Sequence, residues 1–188
     1  TDTPGSRRLC YLGQDNYLCG RACAGLMNML LGGQGKVLML SGHFSSFSHR
    51  RRIDGFQSEV HSLYPGLTLL PLERGNDNRQ ICYDCVHRVL NEHDDVRGIY
   101  LAANGQAGVC DCLRDLGRQE KVHFICHDLL PDTLRGLRDG TIDFVIDQNA
   151  SMQAIRPLEI LTEYLLSGEK PEEEQLLMPI DIRTMYNI

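Results

Sequence analysis

Five side chains in this 188-residue sequence form a set that binds without reacting: Arg50, Arg52, Asn104, Asp128 and Gln148. Guanidinium groups donate only, amides donate and accept, and an ionised carboxylate accepts from two hydroxyls at once. Together they suit a neutral polyol, with Phe44 or Phe47 supplying an apolar face for a ring. An amino acid or a phosphate would call for more positive groups and no Asp128. Ser41, His43 and Asp128 are the types of a hydrolytic triad, yet no G-x-S-x-G turn presents the serine and nothing in the sequence orders the three. GGQGKV at residues 32–37 lacks the spacing and the Ser or Thr of a phosphate loop and precedes a strand, so it reads as a turn. The expectation is therefore a binding protein and not an enzyme.

The elements that would carry these residues are legible in the apolar pattern. Short Val/Ile/Leu-rich runs at residues 37–40, 67–70, 98–102, 122–126 and 144–146 alternate with longer segments of helical period. A further strand is expected near residues 9–12. Helical faces are read at Leu18, Ala22, Leu26 and Met29; at Ile53, Phe56, Val60 and Leu63; at Ile81, Cys85 and Val89 with Cys82, Val86 and Leu90; at Val109, Leu113 and Leu116; and at Leu134 and Leu137. Asp15 or Asn16, Asp77 and Asp132 stand where helices should begin, and Gly117 and Gly140 where they should stop.

This alternation predicts an α/β fold, a three-layer α/β/α lobe with a mainly parallel sheet. Ligands of such sheets bind beyond the carboxyl ends of the strands. That rule gathers Ser41 to Ser46, Glu73, Arg74, Asn104, His127, Asp128 and Gln148 on one rim. Residues 1–148 are expected to form this lobe, and residues 149–188, with a helix from Met152 to Ser167 and a strand at 180–183, to lead to a second lobe.

Composition narrows the partners. Nineteen Lys and Arg against 25 Asp and Glu, a net charge of −6, do not suit grip on a DNA backbone. No apolar run is long enough for a bilayer, so no membrane partner is expected. Eight cysteines in a chain able to build a core read as small apolar residues of a reducing cytosol. Cys82 and Cys85 form a C-x-x-C without a matching second pair, which argues against a metal, and no cofactor is called for.

Several motifs in order carry a family resemblance: QDN with Gly20, GKVLMLSG at 35–42, RRRIDGF at 50–56, IYLAANGQA at 99–107, FICHDLLP at 124–131 and LRDGTIDFVIDQ at 137–148. Over nearly its whole length the chain resembles the superfamily of ribose-binding proteins and galactose/lactose repressors, periplasmic-binding-protein-like of type I. The match begins about a third of the way into that domain, so the N-terminal lobe would be largely missing. The resemblance implies that Arg50, Arg52, Asn104, Asp128 and Gln148 line a sugar pocket, with Asp15 near the first crossover between lobes. Two departures stand out: Asn104 is followed by Gly105 where an aspartate is usual, and His127 replaces the usual glycine before Asp128. The ending IDIRTMYNI resembles cytosolic repressors. The expected function is thus the sugar-sensing effector domain of a repressor, a homodimer touching DNA only through an upstream helix-turn-helix. An exported sugar-binding protein of an ABC transporter is the alternative.

Overall fold

The computed structural model describes residues 2, 5–43 and 45–188. In chain order the elements are β1 (Tyr11–Gly13), α1 (Asn16–Leu30), β2 (Gly35–Ser41), α2 (Phe47–Leu63), β3 (Leu67–Leu69), β4 (Glu73–Arg74), α3 (Arg79–Glu92) and β5 (Val96–Leu101). They continue with α4 (Gln106–Asp115), β6 (His123–His127), α5 (Pro131–Arg138), β7 (Phe144–Asp147), α6 (Ala150–Ser167), β8 (Gln175–Leu177) and β9 (Asp181–Arg183).

A seven-stranded sheet runs β3-β2-β5-β6-β7-β9, with the short β4 beside β3 on the edge of β2. Every pairing in it is parallel except the last, where β9 lies antiparallel to β7. Both faces are covered, which is why the central strands read as unbroken apolar runs. Alternate residues serve opposite layers. Val37, Met39, Tyr100, Ala102, Ile125 and Ile146 pack with α1 and α2, whereas Leu38, Leu40, Ile99, Leu101, Phe124, Cys126 and Val145 pack with α3, α4 and α5. The expected three-layer α/β/α lobe is what the chain forms.

The predicted face of α1 is turned. Leu18 and Met29 are exposed, and Cys19, Gly20, Cys23, Ala24 and Met27 are buried instead. The cause is the close crossing of α1 with α2. A Cβ on Gly20 would overlap the Arg52 carbonyl, and one on Gly55 would overlap the Tyr17 carbonyl. Backbones that near each other admit only small residues between them, so the larger apolar side chains swing outward. Seven of the eight cysteines are buried and all eight are free. On α3 the set from Cys82 to Leu90 faces inward; Ile81 is its exposed member.

The start and stop signals act as read, with one reassignment. Asp15 caps α1, accepting from the amides of Tyr17 and Leu18 at 2.9 and 3.1 Å. Gly117 and Gly140 take positive φ just past α4 and α5. Asn78, not Asp77, caps α3.

A second sheet of two parallel strands, β1 and β8, stands apart from the first. Beside it α6 buries only Ile160 among its described side chains and exposes Met152, Ile155, Leu158, Leu161 and Leu165. The segments joining the two sheets meet at Gln14, whose buried side-chain amide donates to the carbonyls of Asp147 and Pro179, each at 2.8 Å. β4 and β8 were not foreseen, because strands of two and three residues carry no periodicity to read.

Candidate functional site

The carboxyl ends of β2, β5, β6 and β7 share one edge of the large sheet, and the loops leaving them form the rim. Asp77 ties two of these loops together. One carboxylate oxygen accepts from the amide of Asn104 at 2.9 Å and the other from the amide of His43 at 3.3 Å. Gly42 lies flat against that carboxylate, where any Cβ would collide. Asn104 is exposed, and among the described residues its side-chain amide has no protein partner, while its carbonyl accepts from the Cys82 thiol at 3.8 Å.

Across the rim, Asp128 accepts a short hydrogen bond from the side-chain amide of Gln148. Asp128 has φ +71°, a conformation unusual for a residue with a side chain and often kept for function. Its backbone is held on both sides: its amide donates to the Ile146 carbonyl at 2.9 Å, and its carbonyl accepts from the Thr133 hydroxyl at 2.8 Å. Gln148 accepts at its own carbonyl from the Gln153 side chain, also at 2.9 Å, which fixes the start of α6.

The two arginines expected to act together part company. Arg52 is buried, donating from Nε to Asn16 Oδ1 at 2.9 Å and from Nη1 to the Ala102 carbonyl at 3.2 Å. It locks α2 to α1 and to the end of β5. Arg50 is exposed, its guanidinium 6.0 Å from the centre of the Phe47 ring. Arg51, between them, stacks its guanidinium on the Tyr17 ring at 4.5 Å. Asp15 lies at the start of α1, in a recess of about 280 Å³ whose lining includes Tyr11, Gln14, Tyr17, Phe47 and Arg51. Phe44 falls outside the described residues.

Two rim residues escaped the sequence reading. Asp77 was taken for a helix start, and His49 carried no motif. His127 was placed on the rim and noted as a departure from pattern, but not counted among the ligand contacts. It is fully buried, with Nε2 3.0 Å from the Tyr100 hydroxyl and Nδ1 without a protein partner. Burial, then the nearby Arg52 and His49, hold its imidazole well below the ordinary histidine range, so it is neutral. Burial likewise lowers His49, against the opposing pull of Asp77. Among the described residues no group of three His, Cys, Asp or Glu side chains is placed to hold a metal ion.

Comparison with known proteins adds to this geometry. A family model described as a periplasmic binding protein domain matches residues 1–170. The chain is 26% identical over 182 residues to the xylose/arabinose-binding protein XylF of Sulfolobus acidocaldarius, covering 94% of this chain and 43% of that protein. It is 24% identical to a D-ribose/D-allose-binding protein of Pseudomonas aeruginosa, covering 88% of this chain and 51% of the relative. The chain thus spans about half the length of these curated relatives. A solved ABC transporter solute-binding protein from Burkholderia graminis, in complex with D-arabinose, superposes with a TM-score of 0.93 at 26% identity, over 100% of this chain and 65% of that one. GanP, a glucose-galactose binding protein from Geobacillus stearothermophilus, shares the fold with a TM-score of 0.92 at 24% identity, over 100% and 66%.

These matches correct the sequence reading at the branch point. The superfamily stands, but the expected cytosolic repressor, with DNA as partner through an upstream headpiece, is overturned by relatives that are sugar-binding proteins and transporter components. Sugar-binding proteins are not enzymes. The error has a physical source: both branches use the same lobe and the same strand-end chemistry, so motifs that build them cannot separate them. The short terminal segment IDIRTMYNI was too little to decide.

Proposed function

The chain belongs to the periplasmic binding protein domain family, and we propose that it is part of an exported protein that binds a small neutral sugar and presents it to a membrane transporter. Residues 1–148, apart from β1, are read as one lobe of that protein and residues 149–188, apart from β9, as the return toward the other. Arg50, Asn104, Asp128 and Gln148 supply the sugar contacts, Arg52 supports them from beneath, and Asp15 acts chiefly as a helix cap.

One observation carries the reading. Asp128 is held in a strained conformation at a strand end, Gln148 steadies one of its oxygens, and the rim around the pair offers the free amide of Asn104 and the exposed guanidinium of Arg50. This is a mixed set of donors and acceptors with a single carboxylate, matched to hydroxyls and poorly matched to an anion. Names borne by the relatives, pentose and hexose binders alike, agree with that chemistry.

Calorimetry on the full-length gene product with D-xylose, L-arabinose, D-ribose, D-allose and D-galactose tests the proposal. At least one is expected to bind with Kd on the order of 1 µM, about −8 kcal/mol. Absence of binding across the panel would overturn it.

A further inference from the structure

On α2 the side chains buried against the sheet are Arg52, Ile53, Phe56 and Val60, and His49 continues that stripe one turn toward the helix start. At the level of Arg52 the helix has already reached the strand ends, since Arg52 bonds the Ala102 carbonyl just past β5. A residue three positions earlier sits about 4.5 Å further along the axis. His49 therefore overhangs the rim instead of packing on the sheet.

The ring's surroundings agree. The charged and titratable groups within electrostatic reach of His49 are Asp77, Arg52, Asp128 and His43, and His127 lies within reach as well. Among the described residues His49 makes no hydrogen bond, although two carboxylates stand near it. Nδ1 is shut off from solvent without a partner, and Nε2 is not so enclosed. A polar ring brought to a site and left unbonded is costly unless something outside the chain completes it.

We infer that His49 is a sugar-contacting residue that helps select the ligand, meeting one hydroxyl through Nε2 from the α2 side of the rim, opposite the Asp128–Gln148 pair. This rests on the sugar-binding reading above. A neutral imidazole can donate at one nitrogen and accept at the other, so it adapts to a hydroxyl of either hydrogen-bond sense without adding charge.

The test compares His49→Ala, His49→Asn and His49→Gln in the full-length protein by calorimetry against the same five sugars. The terminal amide of Gln reaches the place of Nε2, whereas that of Asn reaches only the place of Nδ1. For the sugar that binds, Ala and Asn are expected to weaken Kd about tenfold, the size of one lost hydrogen bond, and Gln to stay within about threefold of wild type. Wild-type affinity in all three variants would overturn the inference with sugar binding intact, as would retention by Asn and loss by Gln. If wild type binds none of the sugars, the proposed function fails first and this inference with it. Should the variants fold poorly, nitrogen-15 spectra of the wild-type histidine rings decide the matter. A shift of the His49 Nε2 resonance on adding the bound sugar supports the contact, and an unmoved resonance removes it.

Discussion

The side-chain amide of Gln14 donates to the backbone carbonyl of Asp147 at 2.8 Å, joining chain positions 133 residues apart. The same nitrogen donates to Pro179, so one side chain holds all three segments that run between the large and the small sheet. Replacing Gln14 by Leu keeps the bulk and removes both bonds, leaving two carbonyls without their partner in a partly buried place. Stability should fall by about 1–3 kcal/mol, read as a shift of the urea midpoint with unchanged slope.

Arg50 and Arg52 should separate cleanly by experiment. Arg52→Lys loses the fork that spans Asn16 and Ala102 and should cost about 2–3 kcal/mol of stability. Arg50→Ala should leave the melting temperature within about 2 °C of wild type while weakening sugar binding. Thermal melts and calorimetry on both variants check this, and the converse pattern would exchange their roles.

Asp128→Ala should weaken the cognate sugar by about 1.5–3 kcal/mol, the cost of a charge-assisted bond. Asp128→Asn should fall between, since the amide can still take one of the hydroxyls. Unchanged affinity in the alanine variant would take Asp128 out of the site.

Acid should destabilise the fold through His127. Its imidazole is held neutral in the folded state, whereas in the unfolded chain it takes a proton near pH 6.5. Above that pH both states are neutral and the residue costs nothing. Below it the unfolded state binds the extra proton, so stability falls by up to about 1.4 kcal/mol per pH unit until the folded value is reached. His49 acts with the same sign. Urea unfolding between pH 7 and pH 5 should show a slope shallower by about one proton in His127→Gln, and equal slopes would refute this.

Gly20→Ala should force α1 and α2 apart, because the new methyl would meet the Arg52 carbonyl. A cost of about 2–3 kcal/mol is expected, against a few tenths gained from helix propensity. Thermal unfolding of this single variant gives the answer.

From the sequence by itself came the layer order, the parallel sheet and the rim. Buried parallel strands must be apolar on both faces, helices must repeat every three to four residues, and the carboxyl ends of such strands collect polar groups whatever they bind. Asn104, Asp128 and Gln148 could be named because each directly follows a run that can only be a strand. Tertiary structure decided what periodicity does not encode. It turned α1 so that cysteines and glycine pack where Leu18 and Met29 were expected, since the distance between two backbones is set by the pair and not by either helix. It made Arg52 a buried brace and left Arg50 exposed beside Phe47, although the two stand two residues apart in one motif. It brought Asp77 and His49 to the rim as well, because their place depends on how far a loop reaches and where a helix begins, and no local pattern of residue types records either.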